Sequence, residues 1–250
     1  MNFHELIDEA EKSYQMNKDF SAFRDDDFYW FIREGGDLEF ANLKYAFDYD
    51  SSFFSQLISV KKSFFGYSNK QDYRLIDRDD SRDILNSTFI FSDNKSHKNI
   101  VEIGSAWGNV YRLVHDLVEH EKWISIDLPC VLDLQKWYLD NEISDIDKLD
   151  FQSAHNYNVP DNIDLVIATH SLSQVTDESF DLYYDKILSK AKYIFYATNP
   201  WYMGTMPHTF LAEAILTDRE KQIEKQFDVI KNYDIKRITT KMYRNKNDAI

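Results

Sequence analysis

The chain has 250 residues, 43% hydrophobic, with 39 aromatics (18 Phe, 16 Tyr, 5 Trp), enough for one α/β domain with an elaboration. Its net charge of −14 opposes counterion release on a phosphate backbone, so no nucleic-acid partner is expected. The lone Cys130 excludes an internal disulfide, no apolar run reaches membrane-spanning length, and Met1-Asn2-Phe3-His4-Glu5 lacks the pattern of a secretory leader, so a cytoplasmic protein is expected.

Residues 1–92 read as a helical N-terminal cap on the substrate side. They hold no proline and are dense in aromatics, as at Phe28-Tyr29-Trp30-Phe31, Phe53-Phe54 and Phe64-Phe65-Gly66-Tyr67. Phe40, Leu43, Lys44 and Phe47 have helical spacing, as do Phe54, Leu57 and Ile58, while Gly35-Gly36 and Gly66 read as breaks. A polar connector at 91–98 leads into a second unit, 93–250.

There the pattern alternates. Strands are predicted at 99–103, 122–127, 149–153, 164–169 and 193–198, with helices at 108–119, 129–141 and 177–190. An irregular segment with Pro200, Gly204 and Pro207 follows, then a helix at 209–226 and strands at 227–233 and 237–244. Strands alternating with helices imply a parallel sheet. Tyr233 to Arg237 leaves too few residues for a parallel crossover, so the last two strands should form an antiparallel hairpin. The expected fold is α/β: a Rossmann-like, seven-stranded mixed sheet with an antiparallel last strand, plus the helical cap.

The most telling stretch is Asn99-Ile100-Val101-Glu102-Ile103-Gly104-Ser105-Ala106-Trp107-Gly108-Asn109, which reads strand, glycine turn, helix. Such a unit brings backbone N–H groups to the carboxyl edge of a sheet, where a nucleotide-like ligand lies close to the chain. The spacing Gly104-x-x-x-Gly108 departs from the G-x-G-x-x-G of dinucleotide-binding turns. Asp127, closing the second strand, suits the two hydroxyls of a ribose; a helix cap or solvated strand end is its plainer reading. Glu102 either favours a sulfonium or amino group through its charge or holds the turn by accepting backbone N–H groups.

Glu102-Ile103-Gly104-Ser105-Ala106-Trp107-Gly108-Asn109 resembles motif I of class I S-adenosylmethionine-dependent methyltransferases. Two further runs resemble the sugar O-methyltransferase family. Ser125-Ile126-Asp127-Leu128-Pro129-Cys130-Val131-Leu132-Asp133-Leu134-Gln135-Lys136-Trp137-Tyr138-Leu139 is similar to its "DLP…LQ.YYL" run. Asp164-Leu165-Val166-Ile167-Ala168-Thr169-His170-Ser171-Leu172-Ser173-Gln174 is similar to its "DLV..THSFSE" run. The similarity covers about 99–199, with Ala106 in place of a glycine and Gln174 in place of an acid. The antiparallel last strand is also the arrangement of those methyltransferases.

The resemblance implies S-adenosyl-L-methionine along Glu102, Gly104, Ser105, Ala106, Gly108 and Asn109, with Asp127 and Leu128 at the ribose. Ser153, Ala154 and His155 would lie near the adenine, and Thr169 beside the cofactor. The implied activity is methyl transfer to a hydroxyl of a sugar or glycoconjugate, with a small-molecule or glycan substrate.

His170, after the fourth strand, is the first candidate for the general base that methylating a hydroxyl requires; its alternative is to hydrogen-bond Ser171, Ser173 or the cofactor's surroundings. His208 is the second candidate. His4, His97, His115 and His120 read as surface positions. Trp30, Arg33, Ser171, Trp201 and Tyr202 are candidates for binding the acceptor, with Met203 and Met206 nearby. No His/Asp/Glu set has metal-ligand spacing, so metal-independent transfer is expected. A small-molecule natural-product methyltransferase, a nicotinamide-dependent reductase and a non-catalytic module of a polysaccharide-assembly complex are the alternatives. Homo-oligomerisation stays open.

Overall fold

The computed structural model describes residues 39–60, 78–198, 209–235 and 238–248. The candidates Trp30, Arg33, Trp201, Tyr202 and His208 lie outside the described residues, as do His4, Met203, Met206 and the breaks at Gly35-Gly36 and Gly66.

In chain order the helices are α1 (Glu39–Tyr49), α2 (Ser51–Ser59), α3 (Arg78–Phe91), α4 (Asn109–Val114), α5 (Pro129–Glu142), α6 (Asp177–Lys186) and α7 (Thr209–Gln226). The strands are β1 (Asn99–Ile103), β2 (Lys122–Asp127), β3 (Leu149–Ser153), β4 (Ile163–Thr169), β5 (Ala191–Thr198), β6 (Phe227–Ile235) and β7 (Ile238–Asn245). They form one seven-stranded sheet in the order β3-β2-β1-β4-β5-β7-β6. The first five are parallel, and β7 runs antiparallel to both β5 and β6. The hairpin closes with Ile235 opposite Ile238, which confirms the expected mixed sheet.

The central strands are apolar on both faces because both faces are covered. On one face Ile100, Trp123, Leu165, Ile167 and Phe195 meet α3, α4 and α5. On the other, Val101, Ile103, Ile124, Val166 and Ile194 meet Phe180 of α6 and Ile223 of α7. The alternation along each strand is the period-two rule of a pleated sheet.

The N-terminal helices share the first of these cores. Ala46, Phe53 and Leu57 join Phe89 and Phe195 in a single cluster. Tyr233 of β6 donates its hydroxyl to Asn86 Oδ1 at 2.8 Å and lies edge-on to Phe89 at 4.6 Å. Asp50 starts α2 by accepting from the Ser52 and Phe53 N–H groups, an ordinary N-cap. Asn42, Ala46 and Phe53 are buried, whereas Phe47 of α1 is about half exposed and packs edge-on to Phe54.

Three details depart from the expected elements. The helix predicted over 108–119 is the single short α4, because Glu119 leaves it to exchange backbone hydrogen bonds with Lys95 and His97. The helix predicted to reach 190 ends at Lys186 and continues as a 3₁₀ turn. His97 and His120 are not surface residues: each is 4% exposed. His120 packs at right angles against Tyr111 and Trp123, His97 against Phe91 and Tyr193, and burial pushes both rings toward the neutral form.

Between β3 and β4 the chain crosses the sheet over residues 154–162 without forming a helix. Ala154, Tyr157 and Val159 pack down onto the second core there, and Tyr157 stacks on Tyr183 with ring centres 5.6 Å apart.

Candidate functional site

The strand order reverses direction between β1 and β4, and open α/β sheets carry their ligand crevice at that point, beyond the carboxyl ends of the strands. A cleft of about 1100 Å³, counted to its open mouth, occupies it. Two rims enclose it.

The first rim is the turn after β1. Gly104 and Gly108 both have positive φ, +72° and +83°, but they answer different needs. A Cβ on Gly104 would lie 2.2 Å from Cβ of Ser171, so the missing side chain lets the two rims touch. A Cβ on Gly108 would meet Gln135 and Leu139 of α5 at 2.7–2.9 Å, so this glycine seats the turn on a helix. Between them Ala106 also stands in the left-handed region, at φ +51°, where an L-residue costs about 1–2 kcal/mol. Its N–H donates to Asp127 Oδ2 at 3.0 Å, which helps to hold it there. Trp107 is buried in the first core. The Ser105 hydroxyl turns toward Ser125 and Gln135, joining the turn to β2 and α5.

Asp83, Glu102 and Asp127 place three carboxyl groups on the cleft. Asp127 accepts the N–H groups of Ala106 and Leu128, yet burial outweighs these bonds and pushes its pKa up to about 7. Glu102 is 3% exposed and accepts the Trp123 indole N–H at 3.1 Å rather than backbone N–H groups of the turn. Burial, reinforced by Asp83 and Asp127, raises it to about 8 against the opposing Trp123 bond and Arg82. Burial therefore keeps Glu102 largely protonated at neutral pH, and a cation placed beside it would favour the charged form.

Helix α3 brings two residues that sequence reasoning missed. Asp83 accepts from Asn109 Nδ2 and Arg82 Nε, both at 2.8 Å, and Asn109 in turn accepts from Arg112 Nε. Arg82, Asp83 and Asn109 all line the cleft. No local pattern in the sequence marks residues 82 and 83, because the contact joins segments 26 residues apart.

The second rim follows β4. His170 is 6% exposed and has φ +64°, unusual for a residue other than glycine. Its N–H bonds Ala197 O of β5 at 2.9 Å, and its carbonyl accepts the Ser173 hydroxyl. A 3₁₀ turn over Ser171–Ser173 follows, and the Ser171 hydroxyl donates to Ile103 O across the cleft floor. The Thr169 hydroxyl is buried at the cleft with no protein partner among the described residues.

The structure thus brings Glu102, Gly104, Ser105, Ala106, Asn109, Asp127, Leu128, Ala154, Thr169, His170 and Ser171 around one cleft. Gly108, Ser153 and His155 stand outside its lining. Gly108 faces α5, Ser153 ends β3 opposite Asp127, and His155 is exposed. Gln174, Val175 and Tyr183 complete the wall. Only the position of Gln174, within a quoted run, hinted at this.

No protein-family model matches the chain. No curated protein matches it either. Solved structures do. The N-methyltransferase NodS from Bradyrhizobium japonicum, in complex with S-adenosyl-L-homocysteine, aligns with a TM-score of 0.52 at 11% identity, over 79% of this chain and 98% of that one. A protein from Pyrococcus horikoshii described as a candidate RNA methyltransferase aligns with a TM-score of 0.52 at 12% identity, over 80% and 98%. Thermoplasma acidophilum 1320 aligns with a TM-score of 0.50 at 14% identity, over 78% and 97%. The fold is that of the S-adenosylmethionine-dependent methyltransferases, with helices on both faces of a mixed sheet whose last strands are antiparallel. Among the described residues no helix is long and apolar enough to cross a membrane.

Proposed function

We propose that this chain is an S-adenosyl-L-methionine-dependent O-methyltransferase that modifies a hydroxyl of a sugar or glycoconjugate. The observation that carries the reading is the convergence of Glu102, Asp127 and the close-approach turn at Gly104 on one cleft at the reversal of strand order. The three needs of the cofactor match what is found there. A buried carboxyl at Glu102 suits a sulfonium or ammonium group, an acid at the end of β2 suits a ribose diol, and the turn after β1 brings backbone to the carboxyl edge of the sheet, where such a ligand lies. NodS, of the same fold, is seen with S-adenosyl-L-homocysteine. The two runs similar to sugar O-methyltransferases support the acceptor class.

When bound, the cofactor supplies an electrophilic methyl group on a positively charged sulfur. Asp127 keeps free lone pairs for the ribose hydroxyls while its bonds to Ala106 and Leu128 fix its direction. Leu128 and Ala154 flank the base, and Glu102, with Arg82 and Asp83 of α3, receives the amino-acid end. Residues 1–92 serve as the substrate-side cap, and among its described residues Arg82 and Asp83 of α3 reach the cleft. The imidazole of His170 would take the proton of the acceptor hydroxyl, freeing its oxygen to accept the methyl group that the bound cofactor would supply. Imidazole is a side chain suited to general-base work.

Isothermal calorimetry with S-adenosyl-L-homocysteine tests the cofactor, with micromolar binding as the expected result. No binding, or a thermal midpoint raised by NAD instead, would sink the reading. Release of S-adenosyl-L-homocysteine on nucleotide sugars and glycans, read against catechol-type and amine acceptors, tests the acceptor class.

A further inference from the structure

We infer that Arg219 is a positioning residue for the cleft: its guanidinium, carried by α7, holds the Leu172–Asp177 loop in the shape that walls the ligand site. The consequence for an adenosyl ligand rests on the function proposed above; the holding of the loop does not.

Arg219 is 4% exposed, an uncommon place for an arginine unless its donors are used. Both Nη groups are used on one short segment, while Nε–H finds no protein partner among the described residues. Nη1 donates to Leu172 O at 2.6 Å, and Nη2 donates to Val175 O at 2.8 Å and to Asp177 Oδ1 at 2.7 Å. The guanidinium also lies 5.1 Å from the Phe180 ring centre, so α6 backs it. A flat, forked cation can serve two carbonyls and a carboxylate at once; a single ammonium cannot reproduce that geometry.

The segment held in this way is the second rim. Gln174 and Val175 line the cleft, and Ser171, one residue before Leu172, presses its Cβ against the space that a side chain on Gly104 would fill. The loop carbonyls of Leu172 and Val175 belong to a turn with few regular partners, and a distant helix supplies donors to them. A chain of contacts therefore runs from α7 through the loop to the glycine turn. No atom of Arg219 lines the cleft, so its effect on a ligand must pass through the loop.

The test compares wild type, Arg219→Met, Arg219→Lys and Asp177→Asn by hydrogen exchange and by calorimetry with S-adenosyl-L-homocysteine. In Arg219→Met the amides of 171–177 should exchange about tenfold faster or more while those of β1 and β4 keep their rates, and ligand affinity should fall by about tenfold. Arg219→Lys should fall between, and should decide the matter if Arg219→Met does not fold. Asp177→Asn removes an exposed carboxylate charge but keeps an acceptor oxygen, and should shift affinity by less than about threefold. Loop exchange at wild-type rates in both arginine variants, or acceleration shared equally by the whole sheet, overturns the inference. Faster loop exchange with unchanged affinity overturns its ligand half. If wild type itself fails to bind, the proposed function falls, and the exchange data still decide the role of Arg219.

Discussion

The two rims of the cleft are built by opposite means. The rim after β1 is made locally: two glycines, a strained alanine and an aspartate at the end of the next strand shape it within 24 residues of sequence. The rim after β4 has no glycine. It reaches the same left-handed backbone with His170 and is steadied from β5, β1 and α7, through Ala197 O, Ile103 O and Arg219. A ligand site can thus be half encoded in a motif and half in long-range contacts, and only the motif half shows its purpose in the sequence.

Substitutions can break or sharpen this contrast. The largest effect belongs to chemistry on the second rim. His170→Ala should lower turnover by about 10²–10⁴-fold while S-adenosyl-L-homocysteine affinity stays near wild type. His170→Asn, which tolerates the left-handed backbone, should do the same without loss of stability. Near-normal turnover in both would remove His170 as the base. Next comes the contact between rims. Gly104→Ala sets its Cβ against Ser171 in a left-handed conformation and should cost about 2–4 kcal/mol, lowering the thermal midpoint by roughly 5–15 °C.

The third effect depends on pH. Glu102 is raised in the folded chain from its ordinary 4.5 to about 8, so the folded state holds its proton more tightly than the unfolded one. Stability from this group is therefore full below about 4.5 and declines as pH rises toward about 8. Glu102→Gln should flatten that decline and leave the unliganded protein about 1–3 kcal/mol more stable at pH 8, while weakening S-adenosyl-L-methionine. Urea unfolding at pH 5 and 8 checks the first half and calorimetry the second. Parallel pH slopes in variant and wild type would contradict it. The smallest change is on the first rim. Ala106→Gly relieves the positive φ but adds chain entropy, so the melting temperature should move by no more than about 4 °C, upward.

The sheet was largely legible because its strands obey simple rules. The β1, β2 and β3 ranges match those read from the apolar runs, and the short link after Tyr233 gave the antiparallel hairpin. The first rim was legible because glycine has few reasons to recur at a strand-to-helix turn. Where the reading failed, contacts distant in sequence decided. α4 stops early because Glu119 pairs with Lys95 and His97, and His97 and His120 are buried because neutral imidazoles pack well against aromatic rings. Asp83 reaches the cleft because α3 lies against α4, which no periodicity within α3 reveals.

The helix-free crossover after β3 sets a limit on chain length. From the sheet register, Ser153 and Ile163 are three strands apart sideways and about six residues apart along the strand axis. At ~4.8 Å per strand and ~3.3 Å per residue this is a straight-line gap of about 24 Å. Ten virtual bonds reach at most about 33–36 Å, and the path must also arch over the side chains of the sheet. The difference, about 9–12 Å or roughly three residues, is what the turn from Ser153 to Asn156 and the arch over the sheet use up. Lengthening it would add slack beside Ala154 at the mouth of the cleft, whereas deleting three residues would leave the two halves of the sheet unable to join.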